Sequence, residues 1–238
     1  MPSTRRYNVG LPIGFGLVST SIIGWIASAT IETGAIHVLN ATAVFALMMA
    51  AIIRVAGDQH PYPRFGPANY VTTVRAILVA LVAGLIGHAA TPTVLWSVIG
   101  LTGVMAALDG LDGWLARRTR MASAFGARFD METDALLILV LSILVWQHDK
   151  AGAWVLLCGL MRYGFVVAGW LLPWLGQPLR STWRGKAVAV GQLLGLGVAL
   201  APSVPAPLSA IAPASALTAL VWSFAVDIVW LSHHGRAS

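Results

Sequence analysis

The chain has 238 residues, of which 58% are hydrophobic and 10% charged, with a formal net charge of +6. A soluble domain carries about 25% charged residues, so this composition, with a mean hydropathy of +0.78, leaves too few polar side chains to coat a water-facing surface. It excludes a soluble enzyme, and it does not point to nucleic acid, because the cations sit at helix ends rather than on one basic face.

At about twenty apolar residues per span, the sequence predicts an all-α polytopic membrane protein with eight transmembrane helices in total. They lie near 11–29, 37–55, 70–89, 94–115, 129–147, 152–173, 187–203 and 211–231. The first run follows Arg5 and Arg6 and ends in Ala27-Ser28-Ala29, the outline of a cleavable signal peptide. Its length and the polar link at Glu32 favour an uncleaved span. After the second span comes the linker from Gly57 to Pro67, where Pro61, Pro63 and Pro67 preclude helix. Residues 1–66 thus hold two spans without evident chemistry, and residues 67–238 hold six. His37 and His88 fall at span ends, where solvated or interfacial positions are expected, and the single cysteine, Cys158, is expected to pack in an apolar run.

Most of the acidic chemistry is concentrated in the fourth and fifth spans. Asp109, Asp112, Gly113, Ala116 and Arg117 follow one stripe of a 3.6-residue helix, and Gly126, Asp130 and Asp134 follow a second at intervals of four. The residues from Arg118 to Phe125 are the natural turn between two helices that face each other with carboxylates on both. An aspartate near the bilayer centre costs roughly 2.5–3.5 kcal/mol on insertion scales, so four without compensation would cost on the order of 10–14 kcal/mol. Two hard divalent cations would balance four carboxylates charge for charge, and paired cations are suited to displacement at phosphorus. No histidine falls in either stripe, which argues against zinc and for magnesium or manganese. The glycines and Ala116 leave room for a bulky group against the backbone, and Arg117 offers a planar donor to a phosphate.

In the later spans, Arg162 stands midway through an apolar run, a position that is functional by default. With Arg180, Arg184 and Lys186 it forms a candidate set for an acceptor or lipid phosphate, and Asp227 in the last span is a candidate counter-ion. With the spans alternating from a cytoplasmic N-terminus, Arg5, Arg6, Arg54, Arg64, Arg75, Arg117, Arg118, Arg120, Arg128, Arg180, Arg184, Lys186 and Arg236 all fall on the cytoplasmic side. Only Lys150 falls on the other. By the positive-inside rule both termini and the aspartates face the cytoplasm from a cell (inner) membrane.

The pattern D-x-x-D-G-x-x-A-R, eight residues, then G-x-x-x-D-x-x-x-D is the signature of the CDP-alcohol phosphotransferase family, and the chain resembles it at every fixed position. The resemblance implies a six-helix core preceded here by two extra helices, and a homodimer. It implies that Asp109, Asp112, Asp130 and Asp134 hold two magnesium or manganese ions, with Asp134 also the base on the incoming hydroxyl. Gly113, Ala116, Arg117 and Gly126 would line the site for the CDP moiety. The activity implied is a step of phospholipid biosynthesis, in which a phosphatidyl-type group moves from CDP-diacylglycerol or a related CDP-alcohol to an alcohol acceptor with release of CMP. Asn69, Thr72 and Arg75 resemble the family's N-x-x-T-x-x-R opening. Gly185-Lys186 and Gln192 resemble the G-K-x-x-x-x-x-Q entry of bacterial phosphatidylglycerophosphate synthases, with Val188-Ala189-Val190 where a threonine is usual. A divalent-cation transporter would explain the aspartates but leave Gly113, Ala116 and Arg117 without a purpose, and a catalytically silent relative would not need all four carboxylates.

Overall fold

Apolar runs of helical length, separated by short links bearing proline and glycine, satisfy their backbone polar groups internally only as helices. The computed structural model describes residues 10–56, 62, 64–176 and 182–234. Among the described residues there are eight α-helices and no strand: α1 (Gly10–Ile31), α2 (Gly34–Ala56), α3 (Pro67–Ala83), α4 (Pro92–Thr119), α5 (Ala124–Gln147), α6 (Leu157–Leu171), α7 (Trp183–Leu200) and α8 (Ile211–His234). The architecture is that of an all-α polytopic membrane protein. Among the described residues, five stretches are long and apolar enough to cross a membrane: Gly10–Ile31, Gly34–Val55, Pro92–Thr119, Ala153–Leu171 and Leu208–Ser232. α3 is apolar but shorter. In α5 and α7 the apolar signal is diluted by Asp130, Glu132 and Asp134 and by Arg184, Lys186 and Gln192 respectively.

The ends of the helices have local causes. α4 starts with Pro92 in its first turn after Thr91, whose hydroxyl accepts from the Val94 amide at 3.3 Å. It runs four residues past the expected span end and closes with Arg120 in the left-handed region at φ 55°. Ser123 then caps α5 by accepting from the Gly126 amide at 3.0 Å, so the turn is shorter than the sequence suggests. Thr182 caps α7 in the same way, accepting from the Gly185 amide at 3.1 Å.

The chain divides into two compact units, Met1–Leu137 and Ile138–Ser238. In the first unit, the buried positions of α1 include Gly16, Thr20, Gly24 and Ser28, a seam of small residues at four-residue spacing. Small residues let membrane helices approach closely, where dispersion and interhelical hydrogen bonds replace the missing hydrophobic drive. A Cβ on Gly16 would overlap the Phe45 ring, so the fully buried Phe45 fits only against glycine. Ser21 and Thr42 share a hydrogen bond of 3.2 Å across the same helix pair. Phe45, Met49, Ile77, Ala80, Phe125 and Phe129 continue this core from α2 through α3 to the start of α5. His37 departs from its expected solvated position: it is 1% exposed and packs edge-on against His88 with ring centroids 6.0 Å apart. The expectation failed because α2 begins three residues before His37, at Gly34, and Gly84, just past the end of α3, packs against the His37 ring.

In the second unit α7 packs along α8, and Phe165 meets Phe224 with ring centroids 5.2 Å apart. Cys158 is buried in α6, as an apolar packing residue. Lys150 is held at one end of the unit, its Nζ donating to the Ala201 and Val204 carbonyls at 3.1 and 2.8 Å. Ser209 returns a hydroxyl to the Lys150 carbonyl.

Candidate active site

Asn69, Thr72 and Arg75 recur at three-residue intervals on α3, so they share one face of that helix, and all three are buried. Asp109 and Asp112 lie one turn apart on α4, and Asp130 and Asp134 one turn apart on α5. The structure brings all four carboxylates to Arg75. Nη2 lies 2.9 Å from Asp109 Oδ1 and also pairs with Asp134, while Nη1 lies 2.7 Å from Asp112 Oδ2 and also pairs with Asp130. A guanidinium is planar and carries donors on both terminal nitrogens, which is why one side chain can serve four acceptors. Thr72 adds a hydroxyl to Asp112 at 3.2 Å. Sequence placed Arg75 at a span end among the cytoplasmic cations; in the structure it is 2% exposed and sits at the convergence of three helices. The sequence signal that could have found it is the N-x-x-T-x-x-R spacing, which puts Arg75 on the same face as two small polar residues.

One positive charge among four negative ones leaves the cluster strongly anionic. Asp109, Asp112 and Asp130 each present an oxygen within 4.8 Å of the others, an all-carboxylate donor set of the kind hard divalent cations take. Asp112 is nearly buried, whereas the side chains of Asp109, Asp130 and Asp134 are between 37% and 47% exposed, so the cluster is open on one side. The donor chemistry therefore fits magnesium or manganese.

Beside Asp112 and Asp130 lies a cavity of about 230 Å³, and Gly113, Ala116, Arg117 and Gly126 all line it. Gly126 is required by close approach: a Cβ there would lie 2.7 Å from Asn69 Oδ1 and 3.3 Å from Ser123 Oγ. Asn69 cannot easily yield, since it is buried and its amide nitrogen donates to the Phe65 carbonyl. Arg117 is exposed at the cavity wall, and Arg118, one position on, stacks over Trp114 at 4.9 Å. Tyr62, from the linker, donates its hydroxyl toward the Arg120 and Ala122 carbonyls at 3.1 and 3.3 Å, tying the linker to the α4–α5 turn.

The family model described as CDP-alcohol phosphatidyltransferase matches residues 65–229. The chain belongs to this family. Among the CDP-alcohol phosphatidyltransferases it is 32% identical over 117 residues to the CDP-diacylglycerol–glycerol-3-phosphate 3-phosphatidyltransferase of Pseudomonas fluorescens, covering 44% of this chain and 59% of that protein. The protein of the same description from Haemophilus influenzae is 23% identical over 142 residues, 56% of this chain and 75% of that one. Its counterpart from Escherichia coli K12 is 28% identical over 98 residues, 39% of this chain and 54% of that one. The chain thus spans between half and three quarters of the length of these relatives. No solved structure matches it.

The cations expected to meet a phosphate belong to the second unit, apart from Arg180, which lies outside the described residues. Arg162 is half-buried in α6, and Lys186 is exposed on α7. Arg184 is paired with Asp227 across α7 and α8, donates from Nε to Ser223 at 3.2 Å and lies over the Trp222 ring at 5.6 Å. Asp227 is the counter-ion of Arg184, as one of the readings of the sequence expected.

Proposed function

We propose that this family member moves a phosphatidyl group from CDP-diacylglycerol to an alcohol, with glycerol 3-phosphate the favoured acceptor, and releases CMP. The observation that carries the reading is the junction of two features: four aspartates gathered from α4 and α5, and next to them a cavity lined by the glycines, alanine and arginine of the same signature. The names of the relatives supply the donor and the acceptor. Residues 67–238 would be the transferase domain, in keeping with a family match that starts at residue 65, and residues 1–66 an accessory pair of helices with its linker. The distribution of Lys and Arg supports a cytoplasmic site, and the family resemblance a homodimer.

Asp109, Asp112, Asp130 and Asp134 would hold two magnesium or manganese ions, which when bound supply electrostatic stabilisation of the charge that develops at phosphorus. Gly113, Ala116 and Gly126 give the CDP moiety access to the helix backbones, and Arg117 donates to its phosphates. Asp134 accepts the proton of the acceptor hydroxyl. The oxygen so freed forms a bond to the lipid-side phosphorus, the bond from that phosphorus to the bridging oxygen breaks, and CMP leaves with the electron pair. Arg162, Arg180, Arg184 and Lys186 form the candidate set for the phosphate of the acceptor or of the lipid; Arg184 already has a carboxylate partner and contributes last.

Mass spectrometry of the lipid product tests this reading. Purified protein given CDP-diacylglycerol and a mixture of glycerol 3-phosphate, inositol phosphate, serine, choline and ethanolamine is expected to yield phosphatidylglycerol phosphate. A product carrying another headgroup would reassign the acceptor, and no lipid product with any of them would remove the proposal.

A further inference from the structure

Each end of the Arg75 guanidinium bridges one carboxylate of α4 to one of α5: Nη1 joins Asp112 to Asp130, and Nη2 joins Asp109 to Asp134. Arg75 thus holds positive charge among the same four carboxylates that would hold divalent cations, and it ties those of α4 to those of α5. The third nitrogen tells against a merely structural role. Nε is buried and has no hydrogen-bond partner among the described residues, so the side chain is fitted to the aspartates at its outer ends rather than along its length. Arg75 approaches from the buried side, while Asp109, Asp130 and Asp134 stay open to solvent.

We propose that Arg75 is the resident counter-cation of the site: in the metal-free protein it stands in for two divalent ions, keeps both carboxylate pairs assembled, and limits how tightly those ions bind. This rests on the reading of the aspartates as ligands for divalent cations. Without Arg75 four like charges face one another in the metal-free state, whereas the loaded state has cations of its own. Removing Arg75 therefore destabilises the metal-free protein more than the loaded one, and linkage requires that metal binding tighten by the same free energy.

The test is manganese binding to the purified protein in detergent, followed by electron paramagnetic resonance of free Mn²⁺, together with thermal unfolding with and without the ion. Arg75→Gln is expected to melt lower than wild type without metal, to gain more on adding Mn²⁺, and to bind Mn²⁺ about tenfold more tightly or better. Arg75→Lys, whose single ammonium cannot bridge both pairs, is expected to fall between the two, and it decides the matter alone if the glutamine variant cannot be purified. Mn²⁺ affinity that is unchanged or weaker in these variants overturns the inference. A wild-type protein that binds no Mn²⁺ overturns both this inference and the metal reading beneath it. Binding that Asp109→Asn weakens keeps the metal reading whichever way the Arg75 variants turn out.

Discussion

Arg75 Nη1 donates to Asp112 Oδ2 at 2.7 Å, and with side-chain exposures of 2% and 6% these are the two most withdrawn members of the charge cluster. Asp112 takes its second hydrogen bond from Thr72, at 3.2 Å, so α3 fixes the one carboxylate that solvent does not reach. On the open side, Asp109, Asp130 and Asp134 are each held by Arg75.

Thr72→Val keeps the shape of the side chain and removes that hydroxyl. A buried carboxylate oxygen loses one of two donors, so stability is expected to fall by about 1–3 kcal/mol. If Asp112 is also displaced in the transition state, kcat/KM falls about tenfold or more. Thermal unfolding and steady-state kinetics of the purified variant check this; wild-type values in both would show that the Thr72 contact holds nothing in place.

Gly126→Ala introduces a methyl group 2.7 Å from Asn69 Oδ1, inside contact distance of a side chain tied to the Phe65 carbonyl. Overpacking of this kind costs about 1–3 kcal/mol, and because Gly126 lines the cavity the KM for the CDP donor is expected to rise. A double-variant cycle isolates the cause. In an Asn69→Ala background the penalty of Gly126→Ala should shrink, and an undiminished penalty would place the clash elsewhere.

Arg184 and Asp227 form a pair whose side chains are 23% and 26% exposed, between the surface and buried limits. Removing either partner alone is expected to cost roughly 1–3 kcal/mol, less than a fully buried pair because solvent screens the survivor. Arg184→Met combined with Asp227→Leu should recover much of that loss. Unfolding of the singles and the double in detergent distinguishes this from independent contributions, which would simply add.

Lys150→Met breaks two hydrogen bonds from a charged donor to the Ala201 and Val204 carbonyls. Charge-assisted bonds contribute about 1.5–3 kcal/mol each at most, so a lower melting temperature is expected. Because Lys150 belongs to this clasp and to no proposed substrate contact, the KM for both substrates should stay at the wild-type value. A selective change in KM would give Lys150 a role in substrate binding that the clasp does not.

The helical fold was legible because membrane spans announce themselves by length and apolarity, and the two aspartate stripes were legible because their spacing is the helical repeat itself. Three things were not. Arg75 reads in sequence as one more cation at a span end, and only the packing of α3 against α4 turns it toward the aspartates. Gly126 was read as room for a ligand and does line the cavity, but its close approach to Asn69 is a contact between helices that no periodicity in one of them can show. His37 was expected in solvent because it stood at the first residue of the second span, whereas α2 begins at Gly34 and Gly84, just past α3, packs against the His37 ring. In each case a local pattern fixed the helix, and a partner remote in sequence fixed the environment.

The most direct test is CMP release from CDP-diacylglycerol and glycerol 3-phosphate, measured against magnesium or manganese concentration for wild type and for Asp109→Asn, Asp112→Asn, Asp130→Asn and Asp134→Asn. Four carboxylates acting as one metal-holding unit predict release that vanishes without the ion and falls by a factor on the order of a hundred or more in each variant, with Asp134→Asn unrescued by excess metal. Release that persists in a chelator, or that survives in the Asp134 variant at the wild-type rate, would contradict the account.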